Sequence, residues 1–280
     1  MYLPDKLHKA KVLITVKTYP IPSGTYYELV CTAGLFNGEK WIRIYPVPFR
    51  FLQDTESKYP KYSWIEADLK KNEKDFRPES YRFENEENAD IKVLGKISTS
   101  QNWAERSKYV LREVFDSMEE LIKFAKGEGR KSLATVKPKE IIDFIIEPTE
   151  REWKQKWQNQ ANQILMEDYD ENLKAKERKL IDKLPYNFSY KFLSEGDSKP
   201  RQMQIEDWEI GALYWNCLKR AEGDEVEANK QVKKKYFEDF VHDKDTHFFV
   251  GTTKQFHLIA PNPFIIIGVY YPPLNQQLIF

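Results

Sequence analysis

The segment YYELVCTAGLFNGEKWIRIY, residues 26–45, carries the clearest fold signal in the N-terminal part of the chain. Hydrophobic and polar residues alternate on both sides of Asn37-Gly38, and this dipeptide between alternating segments is a strong signal for a tight β-hairpin. Pro46 and Pro48 end the second strand, because proline cannot donate a hydrogen bond to a neighbouring strand. The stretch therefore predicts two antiparallel strands joined by a two-residue turn.

Further strands are predicted on both sides of this hairpin. Alternation predicts strands over 12–16, 26–33, 41–45, 62–70 and 91–97. Five short antiparallel strands within about a hundred residues favour a small closed barrel of the OB or PUA-like kind. The polar segment 70–90, between the last two of these strands, is predicted to be a long surface loop.

The rest of the chain combines helices with further strands. Ser117 and Thr149 each begin a capping box, and the second is predicted to open a long polar helix over 150–183. Alternation over 186–192 predicts a half-buried strand. We therefore predict an α+β fold with an antiparallel β-barrel domain, residues 1–100, followed by an α+β domain of mixed helices and antiparallel strands, residues 101–280.

Composition narrows the class of partner. The chain has 44 Lys and Arg against 44 Asp and Glu, so its formal net charge is zero. A protein that coats duplex DNA usually has an excess of basic residues. The zero net charge of this chain therefore lowers the expectation of strong non-specific binding to DNA. Its two cysteines lie far apart, which excludes a thiolate zinc cage and favours a reducing compartment. No apolar run is long enough to span a bilayer, so we expect a cytoplasmic protein without a membrane partner.

No cofactor or metal is predicted. Residues 127–132 (GEGRKS) end in Lys-Ser as a phosphate-binding loop does, but they follow a predicted helix and lead into a strand. A phosphate-binding loop needs the reverse order, so that backbone amides and the helix dipole both face the phosphates. No GxGxxG motif exists in the sequence.

The strongest functional signal is a set of aromatic and basic residues on two predicted strands. The candidate nucleic-acid-binding residues are Trp41, Arg43, Tyr45, Arg50, Tyr62 and Trp64. Period-2 geometry places the first three on one strand face, and rings beside arginines suit single-stranded nucleic acid, whose bases stack and whose phosphates meet guanidinium groups. The alternative is that the rings point into the barrel while Ile42 and Ile44 point outward.

Two acids at the start of a predicted helix are candidate catalytic residues. Asp207 and Glu209 flank Trp208. An Asp at a helix start usually caps the first turn. An acid held beside a Trp can instead be partly desolvated, with a raised pKa, and act in hydrolysis.

Four segments carry a resemblance to a known group of proteins: VKTYPIPSGTYYELVCTAG, WIRIYPVPFR, IEDWEIGALYW and NPFIIIGVYYPP. They resemble an uncharacterised group of bacterial proteins associated with mobile-element and phage-defence loci. The group has no assigned activity, so the resemblance implies a role connected with nucleic acid and no catalytic residue.

Three functions are predicted from these observations. The first is a nucleic-acid-binding protein that recognises single-stranded, extruded or modified bases of DNA, in anti-phage defence. The second is an enzyme on nucleic acid, either a base-excising glycosylase or a metal-dependent nuclease that uses Asp68 and Lys70 with Asp54 upstream. The third is a protein–protein scaffold, since Trp- and Tyr-rich surfaces also suit protein partners.

Overall fold

A computed structural model of the protein describes residues 3–23, 27–48, 59–86, 89–160 and 180–274. The described N-terminal residues form a seven-stranded sheet. Its strands are β1 (Lys6–Lys17), β2 (Ile21–Ser23), β3 (Tyr27–Phe36), β4 (Lys40–Pro48), β5 (Ser63–Lys71), β6 (Ser80–Phe83) and β7 (Lys92–Lys96). Asn37 and Gly38 between β3 and β4 have φ of 52° and 74°, as the predicted hairpin turn requires.

Five of these strands close into a barrel in the order β1-β3-β4-β6-β5, and β5 pairs again with β1. Neighbouring strands are antiparallel except β4 and β6, which pair in parallel. The interior is filled by alternate side chains such as Val12, Ile14, Ile42, Ile44 and Ile65. The α+β class with an N-terminal barrel is confirmed. The barrel is mixed rather than wholly antiparallel, and it is consistent with an OB-like fold.

The strand that closes the barrel comes from the predicted surface loop. β6 lies within 70–90 and places Tyr81 and Phe83 in the barrel core. The predicted fifth barrel strand, β7, pairs with β5 alone among the described strands and lies outside the ring. The loop prediction is wrong for β6, because this strand has four residues and its register depends on distant strands rather than on its own alternation.

The C-terminal part begins with α1 (Ser100–Val110), β8 (Val114–Phe115), α2 (Met118–Lys126), β9 (Leu133–Val136) and β10 (Glu140–Pro148). After 180 follow β11 (Tyr186–Leu193), β12 (Arg201–Gln204), α3 (Trp208–Arg220), α4 (Glu225–Lys233), a π-helical turn (Lys234–Asp239), α5 (Phe240–His242), β13 (His247–Thr252) and β14 (Phe264–Tyr270). A four-stranded sheet runs β14-β13-β9-β8, and a three-stranded antiparallel sheet runs β10-β11-β12.

Three clusters of buried side chains hold the described residues together. One fills the barrel, and the largest lies among the C-terminal helices and sheets. The third joins the two parts, since it combines Leu13 and Trp41 of the barrel with Phe249 and Ile267 of the C-terminal sheet. The outer face of the barrel therefore packs against β13 and β14.

Among the described residues, no helix is both long and apolar enough to cross a membrane.

Candidate functional site

The predicted residues on β4 point out of the barrel, because Ile42 and Ile44 fill its interior. That outer face is covered. Trp41 is 9% exposed and packs edge-on against Phe249, with 5.5 Å between the ring centroids. Arg43 is buried and donates hydrogen bonds to Ser132 Oγ at 2.9 Å and to the Thr252 carbonyl at 3.4 Å. The expectation of an open aromatic platform is wrong for these two residues, because the C-terminal sheet lies over them.

The other predicted nucleic-acid-binding residues are dispersed. Tyr45 is half-buried and lines a cavity between the barrel and the C-terminal part. Trp64 is half-buried and packs edge-on against Tyr109 at 5.4 Å. Tyr62 is buried and lies at a different cavity, whereas Arg50 lies outside the described residues. The structure therefore does not bring the five described candidates together into one surface.

A second arrangement does combine rings, cations and acids. A cavity of about 370 Å³ lies where the start of β5 meets α1, α3 and the end of β14, and we call it the aromatic–basic pocket. This volume falls in the range of small-molecule sites. Its rings belong to Tyr59, Tyr62, Trp103, Trp208 and Tyr271, its cations to Lys17, Lys61, Lys96 and Arg106, and its acid is Glu209.

Two of these aromatic residues have a strained backbone. Tyr62 has φ of 63° and Trp103 has φ of 66°. Bulky residues rarely adopt this left-handed conformation, which costs about 1–3 kcal/mol and clusters at ligand sites. The buried Tyr62 hydroxyl also has no hydrogen-bond partner among the described residues. A buried polar group without a partner points to a bound water, ion or ligand.

Arg106 is held between these two rings. Its guanidinium carbon lies 4.0 Å from the centre of the Tyr62 ring and 5.1 Å from that of Trp103. Nε and Nη2 both donate to the Ile97 carbonyl, at 3.2 and 2.9 Å. The cation is therefore fixed by cation–π contacts and hydrogen bonds, and it lines the pocket.

The two predicted catalytic acids lie together at the start of α3. Asp207 is fully buried and caps the helix by accepting a hydrogen bond from the Glu209 amide at 3.2 Å. Lys61 Nζ bridges the two acids, at 3.1 Å from Asp207 Oδ2 and 2.9 Å from Glu209 Oε2. The Glu209 side chain is 43% exposed and lines the aromatic–basic pocket. Asp207 thus acts as a cap and as a buried ion-pair partner, and Glu209 is the carboxylate that a ligand can reach.

Burial and the neighbouring charges shift the pKa values of Asp207 and Lys61. Burial raises the pKa of Asp207 to about 6, although the charge of Lys61 opposes the shift. Burial alone would lower the pKa of Lys61, but the charges of Asp207 and Glu209 outweigh it and raise that pKa. Lys61 therefore stays an ammonium ion, and Asp207 is the group of the pair that titrates nearer neutrality. A raised carboxyl pKa beside a reachable carboxylate is an arrangement that suits acid–base chemistry.

The second cavity, which Tyr45 lines, has a volume of about 580 Å³, and we call it the interdomain cavity. It lies between the outer face of β3 and β4, residues 72–77 and residues 251–254. Arg77 pairs with Asp75 at 2.5 Å and also donates to the Thr252 carbonyl. Burial would raise the pKa of Asp75, but the hydrogen bonds and charge of Arg77 outweigh it and hold that pKa at about 2.

The nuclease candidates are engaged in other contacts. Asp68 accepts a hydrogen bond from the Lys9 amide at 2.7 Å and pairs with His8 at 2.8 Å, and Lys70 Nζ donates to the Glu84 carbonyl at 2.6 Å. Asp54 lies outside the described residues. Within the described ranges, no group of three or more His, Cys, Asp or Glu side chains could hold a metal ion.

Sequence reasoning missed most of the aromatic–basic pocket. Lys61 lies just before β5, whereas Trp103 and Arg106 lie on α1, and nothing in their local sequence links them to Glu209. For the rings at 208 and 271, the available signal was their place in two of the segments with the family resemblance. Neither Tyr nor Trp is a residue type that indicates a positive φ, so the strained backbone at Tyr62 and Trp103 could not be predicted from the sequence.

Comparison with known proteins identifies the families to which the two parts are similar. Residues 114–280 match the family described as Domain of unknown function (DUF8757), and residues 8–112 match the one described as Domain of unknown function (DUF8758). No curated protein matches the chain. The resemblance to an uncharacterised family is confirmed at that level. Because the first match covers more than half of the chain, the protein belongs to the family described as Domain of unknown function (DUF8757).

Proposed function

We propose that the protein binds DNA and holds one single-stranded, extruded or modified base in the aromatic–basic pocket. The observation that carries this proposal is the pocket itself: rings from four regions of the chain converge with four cations and one reachable carboxylate. A base can stack on Trp103, Trp208 or Tyr271, and each stacking contact is worth about 1–3 kcal/mol. The Glu209 carboxylate can accept an N–H from the base edge.

The charge distribution supports a strand that enters from the side of β7. Lys96 is exposed at the rim of the pocket, where a phosphate of the strand can reach its ammonium group. The chain as a whole has zero net charge, so we expect its basic side chains to neutralise only a few phosphates of the strand. We therefore expect modest affinity that falls with rising salt, because each phosphate contact releases counterions.

Fluorescence anisotropy with labelled oligonucleotides tests this proposal. Single strands and duplexes with a mismatched or modified base should bind at least about tenfold tighter than intact duplex, since an unpaired base costs less to extrude. Lys96→Ala should weaken binding and reduce the salt dependence by about one counterion. The matched control is Lys92→Ala, an exposed lysine on the same strand that lies outside the pocket. Equal affinity for intact duplex, or equal effects of the two substitutions, would overturn the proposal.

The pocket also favours one catalytic function, base excision by a DNA glycosylase. The specific observation is the Asp207–Lys61–Glu209 group, in which Asp207 has a raised pKa and Glu209 faces the cavity. With a base held among the rings, Glu209 can deprotonate a water that attacks the sugar carbon as the base leaves. Asp207 would act through Lys61 as a positioning residue.

Product analysis separates the enzyme from the binder. A glycosylase would leave abasic sites in a modified or mismatched duplex, and Glu209→Gln would bind the same DNA without forming them. Absence of abasic sites from every substrate would leave a binding protein. Absence of binding to every nucleic acid would favour the protein–protein scaffold.

The proposed setting is anti-phage defence in the cytoplasm. It rests on the resemblance of residues 16–34, 41–50, 205–215 and 262–273 to proteins from such loci. Both cysteines are free thiols, as in proteins of reducing compartments.

A further inference from the structure

The interdomain cavity contains a carboxylate whose side chain has no partner among the described residues. Glu206 lines the cavity, and its side chain accepts no hydrogen bond and forms no ion pair among the described residues. Its backbone is fixed on both sides, because its N–H donates to the Ile266 carbonyl at 2.8 Å and its carbonyl accepts from the Tyr19 amide at 3.1 Å. Burial raises the pKa of this carboxyl group. A partly desolvated acceptor held in this way gains most from a ligand that brings N–H donors.

The same cavity has an aromatic and an apolar wall that are not fully packed. Tyr45 lines it with a half-buried ring, and that ring makes no stacking contact among the described residues. Ile21, also in the wall, is 50% exposed. A planar ligand could therefore stack on the phenol ring and cover the isoleucine.

Positive charge in the cavity is divided between engaged and available groups. Arg43 and Arg77 are already engaged by hydroxyl, carbonyl and carboxylate acceptors. Lys74 and Lys254 also line the cavity, are exposed, and form no ion pair among the described residues. These two ammonium groups can bind an anionic group of a ligand in the cavity, whereas the Glu206 carboxylate repels such a group. An elongated ligand would thus direct N–H donors to Glu206 and a phosphate to the lysines.

We propose that the interdomain cavity binds one nucleotide whose base carries an exocyclic amino group, and that Glu206 selects that base. The amino group of cytosine or adenine donates to the carboxylate, the base stacks on Tyr45, and the phosphate lies at Lys74 and Lys254. A base with an oxo group at the same position presents an acceptor to Glu206 and is rejected. This site is separate from the aromatic–basic pocket and does not depend on the function proposed for it.

Isothermal titration calorimetry of the full chain with two isosteric pairs tests this proposal. CMP should bind at least about tenfold tighter than UMP, or AMP than IMP, because one matched base-edge contact is worth about 1–3 kcal/mol. Glu206→Gln should reduce that ratio to below about threefold, since an amide can donate as well as accept. Lys74→Ala with Lys254→Ala should weaken both members of a pair by a similar factor. Lys92→Ala, on β7 and not among the residues that line the cavity, should change neither.

A second arm identifies the source of the nucleotide, and folding is monitored in parallel. Pentanucleotides of dC and of dU carry the same two bases in a strand. Preference with mononucleotides supports a free nucleotide, and preference with pentanucleotides alone supports a nucleotide of a bound strand. Thermal melts of Glu206→Gln exclude a folding defect, and Tyr45→Leu should weaken both members of a pair through lost stacking. The proposal is overturned if no nucleotide binds in either form, if the oxo base binds equally well, or if Glu206→Gln keeps the ratio. DNA binding at the aromatic–basic pocket is measured separately through Lys96→Ala, so either proposal can fail alone.

Discussion

At Trp41, the partner of the side chain decides its role. The residue lies on the outward face of β4, where an exposed ring could stack on a base, but Phe249 of β13 packs against it. Its neighbours in the buried cluster include Leu13, Ala33 and Ile267. The side chain therefore contributes to the contact between the barrel and the C-terminal part.

Trp41→Ala should lower the free energy of unfolding by about 3–5 kcal/mol, because it opens a cavity in this contact. Trp64→Ala, which removes a half-buried ring from β5, should cost less. Urea denaturation of both variants measures the difference. If Trp41→Ala lowers the free energy of unfolding by less than about 1 kcal/mol and also weakens DNA binding, the side chain is exposed and binds DNA instead.

At the scale of elements, two helices begin with the same residue type in different surroundings. Asp207 caps α3 inside the protein and also pairs with Lys61, whereas Asp224 caps α4 at the surface by accepting from the amides of Val226 and Glu227. Burial thus turns an ordinary cap into part of an ion pair.

Asp224→Ala should cost about 1 kcal/mol of stability, as loss of a cap usually does. Asp207→Ala should cost about 3–5 kcal/mol, because it also leaves Lys61 buried without its main partner. Denaturant unfolding of the two variants compares them directly. Equal losses would mean that the pair between Lys61 and Asp207 contributes nothing beyond the cap.

Elements with a strong local pattern were predictable, and those that depend on distant contacts were not. Alternation identified β3, β4 and β11, and the capping box at Ser117 opens α2 as predicted. The capping box at Thr149 was wrong, since helical residues start only at 155. Thr149 instead donates its amide to the Pro185 carbonyl, and Trp153 donates Nε1 to the Ile181 carbonyl. These contacts tie the segment to a distant stretch of chain.

The candidate site follows the same division. Asp207 and Glu209 were identifiable because acids flank a Trp at a helix start. Lys61 and Arg106 come from other elements, so only the fold places them beside those acids. The sequence pattern also could not show that β13 covers the outer face of β4. Period-2 alternation places Trp41 on that face whether the face is exposed to solvent or covered by a second sheet.

At the scale of the whole molecule, buried charges join the barrel to the C-terminal part. Arg43 and Arg77 of the barrel both donate to the Thr252 carbonyl of β13, and Arg77 is neutralised by Asp75. The integrity of this contact therefore depends on the ionised form of Asp75.

Acid should weaken the contact in a defined pH window. The pKa of Asp75 is about 2 in the folded protein, below its ordinary value of 3.8. Ionised Asp75 thus stabilises the fold above pH 4, and this contribution, about 2 kcal/mol, is lost as pH falls from 4 through 2. Asp75→Asn cannot titrate, so its stability deficit relative to the unmodified protein should shrink by that amount between pH 5 and pH 2. Urea unfolding at both pH values measures it, and a constant deficit would contradict the assignment.

Photo-crosslinking shows whether a DNA base enters the aromatic–basic pocket. A single strand with one photoreactive base is irradiated on the protein, and the crosslinked peptide is identified by mass spectrometry. We expect crosslinks to Trp103, Trp208 or Tyr271 that are lost when unlabelled strand competes. Crosslinks confined to the exposed basic residues Lys234 and Lys235, or to none of the residues that line the pocket, would contradict it.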